Sequence, residues 1–122
     1  MVNERLILTN FETRQDFIDT LRNNSPFMIK FGADWCVPCQ KINDYVHEKF
    51  LALPASVLCA DVNVDDSFDL YAFLKQKKMV TGIPTILFYD KGASSYPPDE
   101  SVSGTDMTAL NAFFNRCLQR LK

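Results

Sequence analysis

The chain has 122 residues, 47% hydrophobic and 23% charged, with a formal net charge of -2. That is one domain's worth of chain, long enough to close a single core, and it lacks the basic surplus that binds nucleic-acid phosphates. No segment reaches the roughly 20 apolar residues of a membrane span, and residues 1–8 show neither a long apolar stretch nor a small-residue cleavage site, so a cytoplasmic protein without membrane partners is expected.

In chain order, residues 5–9 predict a short first strand. Asn10 or Thr13 can cap a helix whose apolar positions are Phe17, Ile18 and Leu21, and Asn23-Asn24-Ser25-Pro26 stops it. Residues 27–31, apolar but for Lys30, predict a strand covered on both faces, hence a central one of parallel type. The stretch Phe31-Gly32-Ala33-Asp34-Trp35-Cys36-Val37-Pro38-Cys39-Gln40 follows, with two of the four cysteines and the only tryptophan.

From Pro38 to Leu53, Ile42, Tyr45, Val46 and Phe50 recur on one side of a helix that Pro54 ends. Residues 57–64 predict another strand, and a helix through Leu70, Phe73 and Leu74 comes next. The run Lys75-Gln76-Lys77-Lys78 reads as a solvated helix end with cations at the negative pole. Residues 81–85 form a turn, 86–89 a strand, and Asp90-Lys91-Gly92 is a hairpin signal. Residues 93–100 predict a loop or hairpin tip, and Val102 a short edge strand. A last helix from about Thr105 carries Met107, Leu110, Phe114, Cys117 and Leu121 on one stripe. This order predicts a mixed sheet with helices on both faces, parallel pairings first and antiparallel ones at the terminal hairpin.

The chemistry-bearing feature is the pair Cys36 and Cys39. Their spacing on a helix's first turn brings two sulfurs within disulfide reach. At the helix N-terminus, free N–H groups and the macrodipole favour the Cys36 thiolate, and Pro38 suits an early helical position. Without a secretion signal, such a pair points to catalysis or metal, not to a structural staple. Zinc is disfavoured because neither Cys59 nor Cys117 has a second cysteine at ligand spacing. Both read as buried, inert thiols, with regulatory oxidation as the alternative. His47, the only histidine, falls on the exposed side of its helix. Asp34 reads as an exposed charge near the pair, and Tyr96-Pro97-Pro98 as turn chemistry.

Trp35-Cys36-Val37-Pro38-Cys39, preceded by Phe31-Gly32-Ala33-Asp34, resembles the W-C-G-P-C active site of the thioredoxin family. Gly82-Ile83-Pro84-Thr85 resembles that family's cis-proline loop, and Lys91-Gly92 and Gly104 match two further glycines. The resemblance spans nearly the whole chain. It implies an α/β thioredoxin fold: a central mixed β-sheet flanked by helices on both faces, in one domain over residues 1–122. It also implies that Cys36 attacks a substrate disulfide and Cys39 resolves the mixed disulfide. Trp35, Val37, Pro38, Ile83, a cis Pro84 and Gly104 would form the substrate surface, Ile83 through its backbone. The implied protein is a monomeric protein-disulfide reductase with no bound cofactor. It would carry electrons from a thioredoxin reductase or other dithiol to disulfide-containing proteins.

Four departures qualify the resemblance. Val37 replaces the usual glycine, and neither residue between the cysteines is histidine, unlike the more oxidising isomerase type. The helix before Gly82 and the stretch 92–104 are longer, by roughly a turn. That second stretch reads as a tolerated loop insertion, with substrate contact by Asp99 and Glu100 as the alternative. Lys30 stands where the family usually has a buried aspartate, and Asp61 where many members have lysine. An inverted ion pair is therefore expected under the cysteines, tuning the thiols and moving the Cys39 proton; a Lys30 that snorkels to solvent is the alternative. Two other functions stay open at this point: a disulfide oxidant or isomerase, and a module that docks proteins at the proline groove without turnover.

Overall fold

The computed structural model describes residues 5–122, so the N-terminal reading lies outside the described residues where it falls on residues 1–4. The elements are β1 (Ile7–Leu8), α1 (Arg14–Asn24), β2 (Phe27–Gly32), α2 (Val37–Ala52), β3 (Leu58–Asn63), α3 (Phe68–Gln76), β4 (Thr85–Tyr89), β5 (Glu100–Ser103) and α4 (Met107–Arg120). The strands form one sheet in the order β1-β3-β2-β4-β5. β1 and β2 flank β3 in parallel, whereas β4 runs antiparallel to both β2 and β5. The apolar run of β2 is buried at every residue, as its central place requires.

Side chains alternate across a strand, and this splits the core into two layers. Phe27, Ile29 and Phe31 pack with Phe17 and Leu21 of α1 and Leu70 and Leu74 of α3. Met28 faces the other way, toward Ile42, Val46 and Phe50 of α2 and Leu110, Phe113 and Phe114 of α4. The sheet is thus mixed, with two helices on each face. Lys30 is two residues beyond Met28, and alternation sends it to the α2 side. No helix among the described residues is long and apolar enough to cross a membrane.

Local chemistry sets the ends of these elements. Thr13 caps α1, its hydroxyl accepting the Asp16 N–H at 3.1 Å. Asn10 instead accepts from the Ser67 hydroxyl at 2.9 Å. β1 is shorter than residues 5–9 because only Ile7 and Leu8 find partners, opposite Cys59 and Ala60. Arg5 turns its guanidinium to the carbonyls of Leu53 and Val57. On α4 the buried positions are Leu110, Phe113, Phe114 and Cys117. Met107, expected on that stripe, is the helix's first residue and is exposed, while Phe113 completes the i, i+3, i+4, i+7 face. The cations at the end of α3 do more than face water: Lys75 lies over the Tyr71 ring, and Lys77 over Phe73 and Tyr96.

The β4–β5 connection is a built loop, not a tight turn. The Asp90 N–H donates to Asp99 Oδ2 at 2.7 Å, and the Tyr89 hydroxyl to the Tyr96 carbonyl at 2.7 Å. Tyr96 packs edge-on against Phe73. Register fixes where this loop lies. Phe31 is opposite Thr85, whereas Met28 and Glu100 both face Phe88. Asp99 and Glu100 therefore sit at the end of the sheet away from Gly32, from which the cysteine segment departs. Glu100 accepts from Nε of Arg116 at 2.7 Å and of Arg120 at 2.8 Å. These guanidiniums hold its carboxyl below the usual carboxylate range.

Candidate active site

Gly32 ends β2, and the chain enters α2 through a turn closed by the Cys36 N–H on the Ala33 carbonyl at 3.1 Å. Cys36 is the N-cap of α2, and its sulfur accepts the Cys39 N–H at 3.3 Å. The two cysteines are joined in a disulfide, with Cα atoms 5.3 Å apart, inside the ordinary span for such a bond. Pro38 is in the first turn, where a missing N–H removes no helical hydrogen bond. An amide aimed at the Cys36 sulfur, added to the helix dipole, favours thiolate there once the disulfide opens. Cys39, one turn in, is 1% exposed.

The rim around the pair is apolar and open. Trp35 is 65% exposed and Val37 60%. The Trp35 ring is nevertheless tethered, its Nε1 donating to Asp65 Oδ2 at 2.8 Å. Asp65 is held in turn by its own N–H on Asn63 Oδ1 at 2.8 Å. The sequence reading missed Asp65. The signal lay in the parallel register, which puts Gly32 beside Asn63 and brings both strand ends to one place.

The Gly82–Thr85 turn reaches the same end of the sheet through the pairing of Thr85 with Phe31. The Ile83–Pro84 peptide bond is cis. The Thr85 hydroxyl holds the turn, donating to the Gly82 carbonyl at 2.6 Å and lying 2.8 Å from the Ser103 hydroxyl. The Gly104 N–H donates to the Pro84 carbonyl at 2.9 Å. Gly104 has φ +90°, where a side chain would strain the backbone. Among the described residues, none of the turn, loop and cap hydrogen bonds between backbone groups uses Ile83.

Beneath the cysteines, Lys30 is 3% exposed. Its Nζ donates to Asn43 Oδ1 at 2.9 Å and lies 3.3 Å from Asp61 Oδ1. Asp61 is its neighbour in the β2–β3 register, with a side chain 45% exposed. Asn43 is the second residue that the sequence reading missed; it follows Cys39 by four positions and shares its helical face. A methyl group placed on Gly32 would come within 3.3 Å of Lys30 Nζ and 3.5 Å of Cys39 Sγ. An open cavity of about 220 Å³ passes among Lys30, Gly32, Cys39, Asn43 and Asp61, with Asp34 and Asn63 also on its wall.

Of the remaining candidates, Asp34 borders this cavity, while His47, Cys59 and Cys117 are not among its lining. His47 and Asp34 are exposed, and the Asp34 carbonyl accepts from Gln40 Nε2 at 2.7 Å. Cys59 and Cys117 are free and buried in the layer between the sheet and α2/α4. Burial raises the Cys59 thiol despite the nearby Arg5 guanidinium, and pushes Cys117 up to about 12. A neutral thiol raised from 9.0 to about 12 on folding contributes its full stability below pH 9 and loses it as pH climbs to about 12. Iodoacetamide is expected to label these two only after denaturation, and Cys117→Ala to flatten the alkaline fall in urea midpoint. An equal slope in that variant would remove Cys117 as its cause.

The thioredoxin family model matches residues 8–116. Thioredoxin 3 of Plasmodium falciparum (isolate 3D7) is 28% identical over 100 residues, which is 81% of this chain and 52% of that protein. The thiol:disulfide interchange protein DsbD of Escherichia coli (strain K12) is 34% identical over 116 residues, 91% of this chain and 20% of that protein. The chain thus spans about half the length of the first and a fifth of the second. The X-ray structure of Fasciola hepatica thioredoxin superposes with a TM-score of 0.67 at 26% identity, covering 89% of this chain and 98% of that one. A match running from β1 into α4 takes in the sheet, the cysteine pair and the Gly82–Thr85 turn together, and on it the chain belongs to the thioredoxin family.

Proposed function

We propose that the chain acts as one domain that reduces disulfides in protein substrates. The observation that carries this reading is the asymmetry of the pair: the Cys36 sulfur receives a helix N-terminal amide beside the exposed Trp35 and Val37, while Cys39, one turn in, is 1% exposed against 5% for Cys36. Cys36 as thiolate attacks a substrate sulfur and expels the other as a thiolate. Cys39 then attacks Cys36 in the mixed disulfide, releases the second substrate thiol and restores the disulfide. The two cysteines supply both electrons, and no bound cofactor takes part. A thioredoxin reductase or another dithiol returns the pair to the reduced state. The reading goes with a cytoplasmic setting, where thiols are kept reduced.

Substrate recognition follows from the rim. Trp35, Val37 and Pro38 offer apolar surface on one side of the sulfurs. On the other, Ile83 offers its backbone to an extended peptide in the manner of an added strand, beside Pro84 and Gly104. The name of the DsbD relative, a thiol:disulfide interchange protein, supports exchange chemistry.

Reduction of insulin by dithiothreitol, followed as turbidity, tests the proposal. The wild-type protein should accelerate it, and Cys36→Ser should fall to the rate without protein. Wild-type protein that binds insulin but leaves the rate unchanged would replace this reading with docking without turnover.

A further inference from the structure

The steps above leave unused the most costly group in the region. A buried ammonium is unfavourable unless paired, and Lys30 has Asn43 and Asp61 as partners. Neither cancels its charge at Cys39. Asn43 is neutral, and Asp61 is half-exposed, so water screens the anion far more than the cation. Other charges facing this space are sparse. Asp34, from the turn before α2, lies at the open mouth of the cavity, and Asn63 of β3 is neutral. On α2 itself, Lys41 and Asp44 are exposed. Among the described residues, the one buried charge bordering Cys39 is therefore positive.

We propose that Lys30 is a positioning residue for the resolving step, its ammonium stabilising the Cys39 thiolate that attacks Cys36. This rests on the reductase reading for the order of steps. In the mixed disulfide, Cys39 gives its proton to solvent through the open cavity that borders it. The Cys39 thiolate attacks Cys36 Sγ, so that the Cys36–Cys39 bond forms as the bond from Cys36 to the substrate breaks. The substrate leaves as a thiolate and is protonated from solvent. An ammonium has no lone pair with which to accept that proton, so Lys30 acts through its field alone. The same field stabilises the reduced pair, making the disulfide more oxidising than it would be above a neutral side chain.

The test is the equilibrium of the whole protein with graded thiol–disulfide buffers, its disulfide fraction read by alkylation and mass spectrometry. Lys30→Met should favour the disulfide at least tenfold, about 30 mV for a two-electron couple. Asp61→Asn removes the screened anion and should shift the equilibrium the opposite way. A merely structural role would move both variants in one direction, so opposite signs support the field. Equilibria that shift together, or that both stay at the wild-type value, overturn it. Should Lys30→Met fail to fold, Asp61→Asn decides alone: a shift toward the dithiol supports the inference, and no shift overturns it. Wild-type protein that forms no Cys36–Cys39 disulfide at any ratio overturns the reductase reading and this inference together. A normal wild-type titration with unshifted variants overturns only the inference.

Discussion

Cys39→Ser protein mixed with oxidised insulin is expected to accumulate a covalent one-to-one adduct through Cys36, and Cys36→Ser to accumulate none. The reason is where the two sulfurs sit. Cys36 caps α2 and takes the Cys39 N–H on its sulfur, an interaction that strengthens as charge develops there. It is 5% exposed against 1% for Cys39 and lies beside the exposed Trp35 and Val37, the side from which a substrate disulfide approaches. Cys39 is nearly sealed and serves only a disulfide already formed on Cys36. A serine hydroxyl at position 39 does not displace a sulfur, and the adduct then decays only by slow exchange with outside thiols, over minutes to hours. Turnover should fall to the uncatalysed rate in both variants, so rate alone does not separate their roles. Intact-mass spectrometry under non-reducing conditions does. Adduct forming at Cys39 in the Cys36→Ser protein with equal yield would reverse the assignment of attacker and resolver.

The cysteine pair, the proline turn and the element order were legible because each is a local pattern. A nearly continuous apolar run in β2, periods near 3.6 in the helices, and two short motifs need no tertiary information. What the sequence withheld is what depends on register. Asp65 reaches Trp35 only because Gly32 and Asn63 are neighbours across two strands. Asn43 was within reach of helical arithmetic from Cys39, since four residues return to the same face. Opposite charges at Lys30 and Asp61 could be read, but not their unequal exposure. That comes from β1 stopping at Leu8, opposite Ala60, which leaves the next residue of β3 without a covering strand. The same dependence explains the hairpin. Asp90-Lys91-Gly92 signals a turn, yet where its loop lies follows from pairing Glu100 with Phe88 at the far end of the sheet.

Phe27→Ala is expected to have the largest effect on stability, about 3–5 kcal/mol. Phe27 is fully buried at the start of the central strand. Its ring meets three others, with centroids 5.8 Å from Phe17, 6.2 Å from Phe11 and 6.4 Å from Tyr89. These rings belong to α1, β4 and the chain before α1, held by the hydrogen-bonded frame of the sheet and helix. They cannot all close on a methyl group, so the lost transfer energy is joined by a cavity cost. Domains of this kind have about 5–15 kcal/mol in total, and at the lower end the variant is barely folded. Phe68→Ala is the matched control: the side chain is the same, but it is 68% exposed, so the change should stay within about 0.5 kcal/mol. Urea unfolding is the measurement, with a fallen midpoint and an unchanged slope marking a loss of stability alone. A loss below about 1 kcal/mol would mean that the cluster relaxes into the space, contrary to its dense packing. Phe27 is five residues from Gly32 along an extended strand, about 17 Å. Insulin reduction per folded molecule should therefore be unchanged, which separates the core from the chemistry it supports.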